Sequence, residues 1–245
     1  MVRNIDYAQR KKDILTSTIN RYIQDAVPVA SEDIARDFDL SPATIRNVFA
    51  ELEKDGFLTH PYTSGGRIPT NKGYRYYVDF LLSQMELLEE DKEFIVRKYK
   101  SEIKCLEDVL EKTSEIISAI THYTGIVSLL EWQDRFFYKG VSFILEEPEF
   151  RDAERVRMLI KLIEERRRIL DIVNRDFCGN VKVYIGDELG LPEIENCSLV
   201  VSRYCINDQP SGRLAVLGPK RMKYRYTIPA LEYISNILNG VLTRI

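Results

Sequence analysis

Residues 62–75 read YTSGGRIPTNKGYR. Paired glycines beside an arginine can hold phosphate in two ways: as a loop cradling a nucleotide, or as a hairpin pressed on a nucleic-acid backbone. The first fails on spacing. A phosphate loop needs G-x-x-x-x-G-K-[ST], whereas Gly66 is followed five residues on by Asn71, then Lys72 and Gly73. No G-x-G-x-x-G occurs. For the second, FLTHPYTSGGRIPT predicts two short strands, near 57–60 and 67–69, around Ser64-Gly65-Gly66. The glycines would supply the positive φ of the turn, and Arg67 would project from its edge. Thr63, Ser64, Gly66 and Arg67 are then candidate contacts to phosphate or minor groove.

A second set of candidates precedes the hairpin. Ile14, Leu15, Thr18, Ile19, Tyr22 and Ile23 recur at three-four spacing and predict a helix over about 7–24. Ser31 is placed to cap a second helix over 32–38. Ser41 caps a third, Pro42 opens it, and Gly56 ends it. Ile45, Val48, Phe49 and Leu52 form that helix's apolar stripe, which turns Ala43, Arg46, Asn47 and Ala50 outward. Small residues let a backbone approach a groove, and Arg and Asn have the geometry to read guanine and adenine edges. An ordinary solvated face would look the same in isolation. The hairpin directly after a helix-turn-helix decides for a winged helix. Ser41, Ala43, Thr44, Arg46 and Asn47 are the candidate groove residues, with Arg10, Lys11 and Lys12 as candidate phosphate contacts.

Charge is distributed to match. The chain of 245 residues carries a net −3. Residues 1–12 hold Arg3, Arg10, Lys11 and Lys12 against Asp6, and residues 56–78 hold Arg67, Lys72 and Arg75 with no acid. Residues 83–111 hold nine acids against five bases. A modestly acidic total leaves DNA binding open, because the local field at a contact surface decides it.

Beyond Gly73 the chain reads as helical to about Thr121, with a break near Glu89, Glu90 and Asp91. One apolar stripe there, Ile103, Leu106, Leu110, Thr113, Ile117 and Ile120, suits packing on the protein's own second domain or a dimer contact. Residues 125–132 and 138–145 are apolar and read as strands, and 151–174 as one helix in which Arg166-Arg167-Arg168 is a solvated face. Strands follow at 181–186, 198–206 and 212–219, then a helix at about 227–243. This order predicts an α+β chain with an antiparallel sheet. The organisation expected is a DNA-binding domain at 1–75, a helical linker at 76–121 and an α+β domain at 122–245.

Catalytic patterns are missing. His60 and His122 are the only histidines and fall on different modules, a wing and a helix end. No HExxH, G-x-S-x-G or zinc spacing occurs. The pairs Glu146-Glu147 and Glu164-Glu165 read as solvated, and residues 181–219 show no convergent polar cluster. Cys105, Cys178, Cys197 and Cys205 form no C-x-x-C pair and read as reduced, mostly core-filling thiols. No enzyme activity, metal or cofactor is expected. The N-terminus MVRNIDYAQRKK has no apolar export core, and no run approaches the ~20 apolar residues of a membrane span. A cytoplasmic, nucleoid-associated protein without membrane contact is expected.

SPATIRNVFAELEKDGFL followed by HPYTSGGRIPTNKGYRYYVDFL closely resembles the signature of the HrcA family of bacterial heat-inducible repressors. PVAS at 28–31, EEPEFRD at 146–152, SLVVSRY, and GRLAVLGPKRMKYRYTIPALEYIS resemble further family segments, so the likeness spans about 1–82 and 140–245. The resemblance implies a winged helix joined to a GAF-like domain. It implies a homodimer on double-stranded DNA, at an inverted repeat of the CIRCE type upstream of chaperone operons, released by heat. It implies GroEL as a partner that assists the active fold. Tyr62 stands where the family has histidine, Gly65 where it has alanine, and Ala30 where it has glycine. Between His122 and Tyr138 there is no room for the family's inserted dimerising domain, so the 92–121 helix and the C-terminal domain are expected to supply the dimer contact. A GAF-like domain also raises an alternative, a regulator gated by a small molecule.

Overall fold

The computed structural model describes residues 2–61, 65–82, 86–99, 105–131, 135–206 and 209–243. Its chain contacts divide into two units, 1–83 and 84–245. The stretch 76–121 is shared between them, its first helix closing unit 1 and the later two belonging to unit 2.

Unit 1 is built from α1 (Val2–Asp25), α2 (Ser31–Phe38), α3 (Pro42–Lys54), a two-strand hairpin of β1 (Leu58–Thr59) and β2 (Ile68–Pro69), and α4 (Asn71–Leu81). The three-four apolar spacing does what it predicts. Ile14, Leu15 and Ile19 of α1 meet Ile34 of α2, Ile45, Val48, Phe49 and Leu52 of α3, and Tyr74, Tyr77 and Val78 of α4 in one buried core. Each such side chain contributes about 1.5–3 kcal/mol by leaving water.

Local chemistry sets the turns. Asp39 takes a left-handed conformation (φ 51°) and closes α2 sharply. Ser41 then caps α3 by accepting from the Thr44 amide at 3.1 Å, with Pro42 in the first turn. Gly56, at φ 77°, ends α3 and releases the chain into β1. Ser31 does not cap α2 as the sequence predicts. Ala30 occupies that position, and the Ser31 hydroxyl bonds the Glu32 and Arg46 side chains instead.

The hairpin gains a third member. Val29 and Arg67 exchange both backbone hydrogen bonds, each at 2.9 Å, so the segment between α1 and α2 pairs with the base of the wing. This changes the reason for Gly66. Its φ does not lie in the left-handed range. A Cβ there would stand 2.6 Å from the Val29 carbonyl oxygen, so glycine is required for close backbone approach.

Unit 2 contains α5 (Glu89–Tyr99), α6 (Leu106–Thr121), β3 (Thr124–Leu129), β4 (Phe136–Lys139), α7 (Val141–Leu145), α8 (Ala153–Glu164), α9 (Arg166–Val173), β5 (Val181–Ile185), β6 (Cys197–Ile206), β7 (Gln209–Pro219) and α10 (Tyr224–Leu242). The five strands form one antiparallel sheet in the order β4-β3-β7-β6-β5. One face packs on α6 and α10. The other holds a core of Ile126, Ala215, Leu217, Leu199 and Val201 against Leu159, Leu162 and Leu170 from α8 and α9. Leu110, Thr113, Ile117 and Ile120 of α6 are buried and Leu106 half-buried, so most of the apolar stripe of that helix is spent inside unit 2. Ile103 lies outside the described residues.

The structure departs from the sequence pattern at several points in unit 2. Residues 138–145 are not one strand: Gly140 (φ 82°) stops β4, and α7 follows. The helix expected over 151–174 is two, broken at Glu165, whose ψ of 60° leaves the helical range. Arg168 is not a solvated side chain, since it reaches both oxygens of Glu193 at 2.8 and 3.0 Å. Glu147 is likewise engaged, by Arg221, which also holds Glu149 at 2.8 Å. Of the four cysteines only Cys197 is buried; Cys105 and Cys178 are exposed and Cys205 is half-buried. His122 does end a helix, capping α6 in a left-handed conformation. Among the described residues no helix is long and apolar enough to cross a membrane.

Candidate nucleic-acid interface

The outward face of α3 is as its periodicity predicts. Ile45, Val48 and Phe49 are at most 3% exposed. Between them Ser41, Ala43, Arg46, Asn47 and Ala50 are exposed and Thr44 is half-buried. The Ser41 and Thr44 hydroxyls stand 2.9 Å apart at the helix start.

Arg46 does not stand free. Its Nη2 donates to Glu32 Oε1 at 2.5 Å and its Nε to Ser31 Oγ at 3.2 Å. The Ser31 hydroxyl in turn donates to Glu32 Oε2 at 3.1 Å. The guanidinium is thus steered from the first turn of α2, while 63% of its side chain remains exposed. The Glu32 carboxyl is held below its usual range by its own backbone amide first, then by Arg46 and Ser31. Sequence spacing cannot announce Glu32, because fourteen residues separate it from Arg46 and only the α2–α3 turn brings them together.

Arg67 departs from expectation. The sequence predicts a guanidinium projecting from the wing edge; the structure folds it back. Its Nη2 stands 3.0 Å from Glu53 Oε2 of α3, its Nη1 donates to the Gly65 carbonyl at 3.3 Å, and 24% of the side chain is exposed. His60, at the end of β1, shares the Glu53 carboxylate through Nδ1. Thr63 and Ser64 lie outside the described residues.

Arg46 and Arg67 nevertheless meet across one cleft of about 390 Å³. Its walls are the start of α2, Arg46 and Phe49 of α3, and Gly65, Gly66 and Arg67 at the wing base. Two guanidiniums therefore line a single concavity beside the exposed face of α3, together with the Glu32 carboxylate that pairs with Arg46.

The basic run in α1 separates into different roles. Lys11 is bound at 2.8 Å to Glu51 in the last turn of α3 and at 2.9 Å to Asp55 just after it, with 21% of its side chain exposed. Tyr7 donates to the other Glu51 oxygen at 2.7 Å. These hydrogen bonds hold the Glu51 and Asp55 carboxyls below their usual range, Lys11 being the first cause for each. Lys11 is a clasp between α1 and α3. Lys12 is exposed, and Arg10 is half-buried with a partner of its own. Among the described residues, no group of three or more His, Cys, Asp and Glu side chains is arranged to hold a metal ion.

Comparison with known proteins agrees with this geometry. Residues 6–79 match the family model described as winged helix-turn-helix transcription repressor, HrcA DNA-binding, and residues 128–228 match the HrcA protein C terminal domain. The heat-inducible transcription repressor HrcA of Carboxydothermus hydrogenoformans is 30% identical, the match covering 96% of this chain and 98% of that protein. The corresponding repressor of Pelotomaculum thermopropionicum is 28% identical, over 96% and 97% of the two chains. The first of these alignments runs to 334 positions, whereas this chain has 245 residues, so the relative carries residues without a counterpart here. A crystal structure of a hypothetical protein at 2.2 Å resolution shares the fold, with a TM-score of 0.79 at 19% identity over 96% of this chain and 98% of that one. A helix-turn-helix with a wing and a following antiparallel sheet domain are each matched by a family model, and the chain belongs to the HrcA family of heat-inducible transcription repressors with a winged-helix DNA-binding domain.

Proposed function

We propose that this chain represses heat-shock chaperone genes by binding an inverted-repeat operator of the CIRCE type as a homodimer, and that heat relieves the repression. The observation that carries the proposal is the face of α3. Its apolar side chains are inward, while Ala43 and Ala50 leave room for a groove and Arg46 and Asn47 offer paired donors and acceptors to base edges. Ser41 and Thr44 at the helix start, and Gly66 and Arg67 across the cleft, are assigned to the flanking backbone, as are Thr63 and Ser64. Arg10 and Lys12 are assigned to phosphate; Lys11 acts there only through the clasp it makes.

A dimer on an inverted repeat presents two such helices about one turn of DNA (~34 Å) or a multiple apart. Because the α6 stripe is buried within unit 2, the dimer contact is assigned to the remaining surface of α5, α6 and the sheet domain. The chaperonin GroEL is assigned as the partner that maintains the active fold. A repressor of marginal stability then switches its operon through a small shift in folded fraction.

Footprinting on the inverted repeat upstream of chaperone genes, with sedimentation of the same complex, tests this. Protection of both half-sites by two chains is expected. No protected duplex, or a monomer at micromolar concentration with and without operator, would refute it.

A further inference from the structure

Arg203 of β6 and Arg213 of β7 are direct cross-strand partners, so both side chains leave the same face of the sheet. Like charges directly opposite each other destabilise a strand pair. The fold does little to offset this. The Arg213 side chain is 3% exposed, and its Nε is buried without a hydrogen-bond partner. Its other nitrogens reach the Gly212 carbonyl at 3.2 Å and one oxygen of Asp176 at 3.4 Å. Asp176 is itself fully exposed, so water competes for the carboxylate that reaches Arg213. Arg203 donates to the Gly179 carbonyl. Both guanidiniums lie against one ring, 5.3 and 5.6 Å from the centroid of Phe177. Burial, with Arg203 adding to it, pushes the Arg213 guanidinium below its ordinary range against the pull of Asp176.

Buried charges are retained where something pairs with them. Paired guanidiniums match the oxygens of phosphate and carboxylate groups, each able to donate two parallel hydrogen bonds. We infer that Arg203 and Arg213, roofed by Phe177, form a binding site in unit 2 for a small oxyanion, phosphate or carboxylate, with which the exposed Asp176 carboxylate competes. Such a site gives the repressor a chemical input that is independent of the DNA-reading face.

Thermal unfolding of the full chain tests it, followed by fluorescence of Trp132, the one tryptophan, which lies in the sequence of unit 2. Inorganic phosphate and succinate are compared with sodium chloride at equal ionic strength. Phosphate, succinate or both should raise the midpoint by about 3–6 °C at roughly ten times the dissociation constant. A shift with one alone identifies the ligand's chemistry. Asp176→Asn should respond at lower anion concentration, because the internal competitor is gone. Arg203→Gln and Arg213→Gln should show no shift beyond chloride, and Arg46→Ala should keep the whole shift. Without anion, Arg213→Gln should unfold no earlier than the parent chain, since it removes an incompletely paired buried charge. If Arg213→Gln does not fold, Arg203→Gln and Asp176→Asn decide. No shift with either anion, or an undiminished shift in Arg203→Gln, overturns the site.

Discussion

At the scale of the residue, the basic side chains of unit 1 are not interchangeable. Lys11 and Lys12 are neighbours in sequence, yet Lys11 is bound to Glu51 and Asp55 while Lys12 faces water. Lys12→Ala should weaken specific and random DNA alike and flatten the salt dependence of binding by about one charge, read by anisotropy across a salt series. Lys11→Met should act first on the fold and lower the thermal midpoint of unit 1 without DNA. Arg46 was legible as an outward-facing side chain because the stripe of α3 fixes which residues face out. Glu32, which aims it, was not, since it depends on a tertiary approach of two helices. Arg67 shows the same limit: its charge was visible in the sequence, but its return to Glu53 was not.

At the scale of the element, turn chemistry carried most of the reading. Ser41-Pro42 and Gly56 mark α3 because a cap and a left-handed exit follow from residue type. Short apolar runs were less informative. YKGVSFIL suits a strand or a helix equally, and Gly140 at φ 82° makes it one and then the other. The glycine at the wing base was recognised for the wrong reason: backbone packing against Val29, not turn conformation, demands it. Gly66→Ala should therefore break the Val29–Arg67 pairing and destabilise unit 1 by about 1–3 kcal/mol, measured by denaturant unfolding. A change within a few tenths of a kcal/mol would show that the wing base accommodates a side chain.

At the scale of the whole molecule, each unit's fold class and most of its strands could be read from the sequence, whereas the internal pairing of charges could not. That pairing has a pH signature. The Glu51 and Asp55 carboxyls are depressed in the folded chain, so their contribution is present above the ordinary carboxylate range and fades as pH falls through the folded values. Unit 1 should lose stability on acidification below about pH 5, and Lys11→Met should lose less over the same interval. Both carboxylates are exposed, so the effect is modest and shrinks with salt. The account rests most heavily on α3 as the element that reads bases. The direct measurement is the affinity of the parent chain, Arg46→Ala and Asn47→Ala for an inverted-repeat duplex and a scrambled duplex of equal length, at one salt concentration. Each substitution should cost about 1–3 kcal/mol on the inverted repeat and little on the scrambled duplex. Equal losses on both duplexes, or none on either, would contradict the assignment.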